Sequence, residues 1–217
     1  MEMRGVGHVE VDRALGVDAL VADQDPNVDE IDVLRARHYG GLAAILGQAP
    51  DAGLIEALRG VSGNDTPLGQ AHAALADAAA EADLRAVERD YFELFIGVGR
   101  GKILPYASYY LTGFLNERPL ARLREDLARL GIERDPRVSE PEDHIAILLE
   151  VMAGLAERRF GAESPGEQLF FERHLKPWAR RLFEDIETEA ATPLYRAVGA
   201  LGRTFIEIET AAFAIDA

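Results

Sequence analysis

Cysteine is absent from this chain of 217 residues. Without thiols there is no disulfide, thiolate zinc site, iron–sulfur cluster or Cys nucleophile. Cationic side chains are scarce as well. There are 23 Lys and Arg against 38 Asp and Glu, a formal charge of −15. A surface of that sign repels nucleic acid phosphate and anionic lipid, so no nucleic acid partner is expected. It attracts a cationic partner, such as an arginine-bearing peptide. No apolar run approaches the ~20 residues that cross a bilayer, so no stable membrane insertion is expected. The opening MEMRGVGHVEVD carries acids and no apolar core, and does not read as a secretory signal. With no export signal, the expected compartment is the cytoplasm. There is no period-two strand of any length and no Asn-Gly hairpin signal.

What is present is helical periodicity. Residues 1–28 are the exception: Glu2, Glu10, Asp12, Asp18, Asp23 and Asp25 face only Arg4 and Arg13, and no apolar stripe persists. They read as an acidic, poorly ordered leader. Residues 29–217 read as one all-α globular domain of about eight to ten helices. Ile31, Leu34, His38, Leu42, Ile45 and Leu46 share one side of a first helix. Pro50–Asp51 opens a second with Leu54, Ile55 and Leu58. Thr66–Pro67 has the form of a cap followed by a first helical residue. From Leu84 to Val98 apolar residues lie nearly all round, with Phe92 and Ile96 opposite Val87, Tyr91, Leu94, Phe95 and Val98. Such a helix is expected in the middle of a bundle. Pro119 and Gly131 bracket another helix, and Thr192–Pro193 opens the last one. Pro177 falls inside the run Phe171, Leu175, Trp178 and Leu182, where a kink is expected.

Three stretches invite a chemical reading. In SEPEDHIAILLEVM, Ser139 and Glu142 match the capping box S-x-x-E. Glu140, Glu142 and Asp143 then suit the first turn of a helix, where free amides favour acids. A metal reading needs ligands one turn apart. Glu140 and His144 have that spacing, without an evident third. The Gly-rich IGVGRGKIL lacks the spacing of a phosphate loop and reads as a flexible connection, with a nucleotide such as GTP the lesser alternative. In PYASYYLTGF, tyrosine hydroxyls need partners, and their rings suit either a core or a peptide groove.

YFELFIG (91–97), PYASYY (105–110), EPEDH (140–144) and HLKPW (174–178) follow one another in this order. Together they resemble the TorD/DmsD/NarJ family of redox-enzyme maturation chaperones, over about residues 31–215. The resemblance implies a single TorD-like helical domain, monomeric or domain-swapped into a dimer. It implies a cytoplasmic chaperone that catalyses nothing. Such a chaperone binds the twin-arginine signal peptide or amino-terminal segment of an apo-molybdenum oxidoreductase. It holds the client until molybdopterin is inserted, with at most transient contact with that cofactor. The peptide-binding residues so implied are Leu94, Phe95, Pro105, Tyr106, Ser108, Tyr110, Glu140, Pro141, Asp143 and His144, with Glu142 beside them and Tyr39 a looser match. The alternative is a metal- or nucleotide-dependent enzyme built on Glu140, Asp143 and His144.

Overall fold

The computed structural model describes residues 29–132, 140–160 and 164–215. The expected leader, residues 1–28, lies outside the described residues, as does Ser139. Among the described residues there are ten α-helices and no β-strand. They are α1 (Glu30–Gly47), α2 (Ala52–Arg59), α3 (Pro67–Ala80), α4 (Leu84–Tyr91), α5 (Ala107–Thr112), α6 (Arg118–Arg129), α7 (Ile145–Ala156), α8 (Ser164–His174), α9 (Ala179–Glu189) and α10 (Pro193–Phe213). A single π-helical turn, Phe92–Ile96, extends α4.

Several starts follow from local chemistry. Asp29 accepts from the Asp32 amide at 2.8 Å, and Asp51 from the Leu54 amide at 2.8 Å. Thr66 accepts from the Gly69 amide at 3.1 Å, with Pro67 in the first helical position. Thr192 with Pro193 repeats the device at α10. Each satisfies an amide that a helix start otherwise leaves open.

The core is organised round α7. It lies along α1 and against α8, while α10 covers α9, α3 and α4. Leu148, Leu149, Met152 and Leu155 are all buried. Each contributes about 1.5–3 kcal/mol relative to exposure. Ala146, Val151, Ala153, Gly154 and Ala156 are buried as well, so α7 is enclosed on nearly every side. The stretch expected to occupy that central place, 84–98, does not. Phe92 and Ile96 are about half exposed, at 45% and 52%, and Val98 is 98% exposed. The segment is buried on one side only, where Val87, Leu94 and Phe95 pack, and it ends in the π turn. Gly97 donates to the Phe92 carbonyl, five residues back, at 2.7 Å. The extra residue in that turn rotates the side chains after it out of the α-helical register.

Two further expectations are corrected. Pro177 separates two helices rather than bending one: α8 ends at His174 and α9 begins at Ala179. Pro177 has no amide to continue the ladder. Trp178, with φ −148°, has left helical geometry. Its indole N–H instead donates to the His174 carbonyl at 2.7 Å, closing the end of α8. On α1, Ile31 and Leu34 are exposed, while Ala36, Tyr39, Leu42, Ala43, Ile45 and Leu46 are buried.

Polar ties lock the ends of the bundle. Arg35 on α1 binds Glu209 on α10, at 2.9 Å from Nε and 2.6 Å from Nη2, and Glu167 on α8. The Tyr39 hydroxyl donates to the same Glu209 at 2.6 Å. Asp90 at the end of α4 accepts from the Ala191 and Thr192 amides and from the Thr192 hydroxyl, fixing where α10 starts. Among the described residues no helix is long and apolar enough to cross a membrane.

Candidate functional site

The two stretches PYASYY and EPEDH meet. Tyr106 and His144 form an isolated antiparallel bridge. The Ile145 amide donates to the Pro105 carbonyl at 2.8 Å, and the Ala107 amide to the Asp143 carbonyl at 3.0 Å. The Asp143 side chain caps α5 from a distance, its Oδ2 accepting from the Ser108 amide at 2.8 Å. The Tyr106 and His144 rings meet edge to face, their centroids 5.2 Å apart. The Tyr106 hydroxyl donates to Glu140.

The acids therefore do not sit in the first turn of α7. That helix begins at Ile145, and its cap is His144, whose Nδ1 accepts from the Ala146 amide at 3.2 Å. The His144 backbone is held extended by its bridge to Tyr106, so the helix cannot start at Pro141.

The twelve expected residues divide by exposure. Tyr39, Leu94, Ser108 and Asp143 are fully enclosed, and Phe95, Pro105, Glu142 and His144 are buried. Tyr39 belongs to the Arg35–Glu209 network, on other elements. Glu142 is held by Arg124 of α6 through a forked pair of hydrogen bonds, at 2.8 Å for Nη2. The Tyr110 hydroxyl donates to Asp185 on α9 at 2.7 Å. Tyr106, Glu140, Pro141 and Tyr110 are half-buried and reach the surface.

Electrostatics separate the roles. Burial, the hydrogen bond to Glu140 and the charge of that carboxylate all push the Tyr106 hydroxyl up, so it stays protonated and donates. Burial and the charge of Glu140 also push Tyr91 up, to about 12. Glu140 thus acts on both tyrosines. Tyr91 was not among the expected site residues, although it opens YFELFIG. Burial lowers the pKa of His144 against the opposing pull of Glu140 and Asp143, which keeps its Nδ1 free to accept. Two enclosed atoms in this locus, Ser108 Oγ and Asp143 Oδ1, have no hydrogen-bond partner. The end of α5 and the turn beyond it expose Leu111, Phe114 and Leu115, with Phe114 69% exposed. These apolar side chains were also missed. Leu111 and Phe114 lie within PYASYYLTGF, but only its tyrosines were singled out.

The metal and nucleotide readings find little geometry. Among the described residues no three His, Asp or Glu are placed to hold a metal ion. The Gly-rich stretch is a pinned reversal, not a flexible link: the Lys102 amide donates to the Glu93 carbonyl at 3.1 Å and the Ile103 amide to the Leu94 carbonyl at 2.8 Å. Gly97 turns the chain with φ +64°. Gly101 passes so close that a Cβ there would stand 2.5 Å from the Leu94 carbonyl oxygen. Beside this reversal lies an open groove of about 650 Å³, lined by Glu88, Arg89, Phe92, Glu93, Gly97, Val98 and Lys102. None of the twelve expected residues lines it.

The nitrate reductase delta subunit family model matches residues 62–184, a span that contains Tyr91, Tyr106 and the whole of 140–144. The chain belongs to that family. The chaperone protein TorD of Vibrio cholerae is 32% identical over 127 residues, which cover 54% of this chain and 58% of the relative. The TorD of Aliivibrio fischeri is 32% identical over 130 residues, covering 55% and 60%. The chain thus spans about three-fifths of the curated relatives it matches. A solved chain from Archaeoglobus fulgidus, named for redox enzyme maturation, superposes with a TM-score of 0.57 at 20% identity, over 80% of this chain and 94% of its own. At that identity the likeness shows the fold, which is all-α and TorD-like.

Proposed function

We propose that this protein is a chaperone for the apo form of a molybdenum oxidoreductase subunit, and that it binds the client's basic amino-terminal leader. It retains the client until molybdopterin is in place, acts in the cytoplasm and catalyses no reaction. The observation that carries the reading is the union of Tyr106 with Glu140–His144 in one locus. There a half-exposed carboxylate, Glu140, stands by two tyrosines. A twin-arginine leader offers guanidinium groups and an apolar stretch. Glu140 supplies a charge-assisted acceptor for the first. Leu111, Phe114 and Leu115 supply exposed apolar contact for the second. The family and the TorD relatives support the assignment by kinship.

Asp143 is a positioning residue in this scheme, because its oxygen secures the start of α5. The test is titration of a fluorescent synthetic leader carrying the Arg-Arg pair. Glu140→Gln should weaken binding roughly tenfold, about 1.4 kcal/mol, with unchanged circular dichroism. Added salt should weaken binding to the parent more than to the variant. Equal affinity in parent and Glu140→Gln at low salt would remove Glu140 from the site. No binding of any basic leader to the parent would end the chaperone reading.

A further inference from the structure

Away from the acid and tyrosine locus, two imidazoles face each other. His38 lies on α1 and His72 on α3, and their Nε2 atoms are 3.1 Å apart. The His38 Nδ1 lies 2.6 Å from the Leu34 carbonyl oxygen. A carbonyl only accepts, so that nitrogen carries a proton, and Nε2 is the nitrogen that faces His72. The His38 ring is held from its other side by Phe205 of α10, with centroids 5.2 Å apart and planes at 18°. Both histidines are half-buried, so solvent reaches them.

We propose that His38 and His72 form a binding site for a divalent transition-metal ion, which joins α1 to α3. Two imidazole nitrogens on one tetrahedral zinc, each ~2.05 Å from the metal, stand roughly 3.3 Å apart. The present separation is within a few tenths of an ångström of that figure. The Leu34 carbonyl is the outer partner that a metal-bound imidazole usually has, fixing both tautomer and ring plane. Imidazole donors select Zn²⁺, Ni²⁺ or Cu²⁺ over Mg²⁺ and Ca²⁺. Among the described residues no third His, Asp or Glu joins the pair, so water completes the coordination. In the empty site, the His72 Nε2–H donates to His38. Loading moves the His72 proton to Nδ1, a change of tautomer without change of charge.

An ion that binds only the folded chain raises the melting temperature in proportion to the logarithm of its concentration. The experiment is thermal unfolding of the full chain, stripped with chelator, with and without ZnCl₂ near neutral pH. At about a hundredfold excess over the dissociation constant, the parent should melt roughly 5–10 °C higher. His72→Gln and His38→Ala should each abolish the shift, although His8, His144 and His174 remain in place. His72→Gln is the decisive variant, since it leaves the His38–Phe205 stack intact. MgCl₂ should do nothing. The proposal is overturned if the parent shows no zinc-dependent shift, or if His72→Gln keeps the parental shift.

Discussion

Gly101 shows how much one side chain can decide. The reversal from 97 to 101 brings backbone against backbone, and a methyl group on Gly101 has no flexible neighbour to displace. It would meet the Leu94 carbonyl oxygen at 2.5 Å and the Phe95 Cα at 2.8 Å. Gly101→Ala should therefore cost about 1–3 kcal/mol, the range for overpacking a closed site. Denaturant titration measures it, and a loss under 0.5 kcal/mol would contradict the close approach. Gly99 makes a contrast: a side chain there would meet nothing within 4 Å, and only its φ of +91° disfavours one. At this scale the sequence was partly legible. Thr66 could be read as a cap, and Pro50–Asp51 and Thr192–Pro193 as helix starts, because each cap lies only three residues from its amide. His144 could not, because its role as cap depends on Tyr106, 38 positions earlier. The adjacent acids, with Ser139, imitated an earlier start.

Among the elements, α1 is secured by one guanidinium. Arg35 reaches three carboxylates, Asp32, Glu167 and Glu209, and lies 5.0 Å from the Phe213 ring centroid. Burial opposes its charge, but the hydrogen bond and the charge of Glu209, then that of Glu167, hold its pKa raised. Burial raises the pKa of Glu167 in spite of Arg35. Arg35→Ala leaves two buried acids without a counter-ion. That loss should cost about 3–5 kcal/mol, whereas a surface pair would cost little. Hydrogen exchange should show α1 losing protection before α7. Protection of α1 equal to the parent's would refute the clasp. None of this was legible, since the partners are 132 and 174 residues apart. Periodicity did reveal most of the helices themselves, because it is a local signal. It failed on Phe92 and Ile96, which stand opposite the buried Val87, Asp90 and Leu94, because apolar character alone does not say which face finds a partner.

For the molecule as a whole, the histidines set the acid limit. Burial lowers the pKa of both His144 and His174, the latter despite its 2.9 Å contact with Asp126. Their unfolded values lie near 6.5. Above about pH 6.5 both are neutral whether folded or unfolded, and their contribution to stability is complete. As the pH falls through that value, the unfolded chain takes up protons first and stability is lost. The melting temperature should therefore drop between about pH 7.5 and 5.5. His144→Asn retains an acceptor for the Ala146 amide and removes the proton site, so its profile should be shallower. A flat or rising parental profile in that window would contradict the assignment. The charge of −15 was plain in the sequence, and so was the all-α class. Which acids reach solvent was not, because burial of Glu142 and Asp143 depends on Arg124 and Ser108 arriving from other helices.

The tie between α1 and α10 also bears on synthesis. Tyr39 and Arg35 find their shared partner, Glu209, only 170 and 174 positions later. Asp90 waits for Thr192, 102 positions on. While the ribosome still holds the last helix in its exit tunnel, the nascent amino-terminal half lacks both the lid over its apolar faces and the acid that neutralises Arg35. Docking of α10 is therefore a late step of folding, and a chain cut before it leaves Arg35 without Glu209 and the faces of α9, α3 and α4 without their cover.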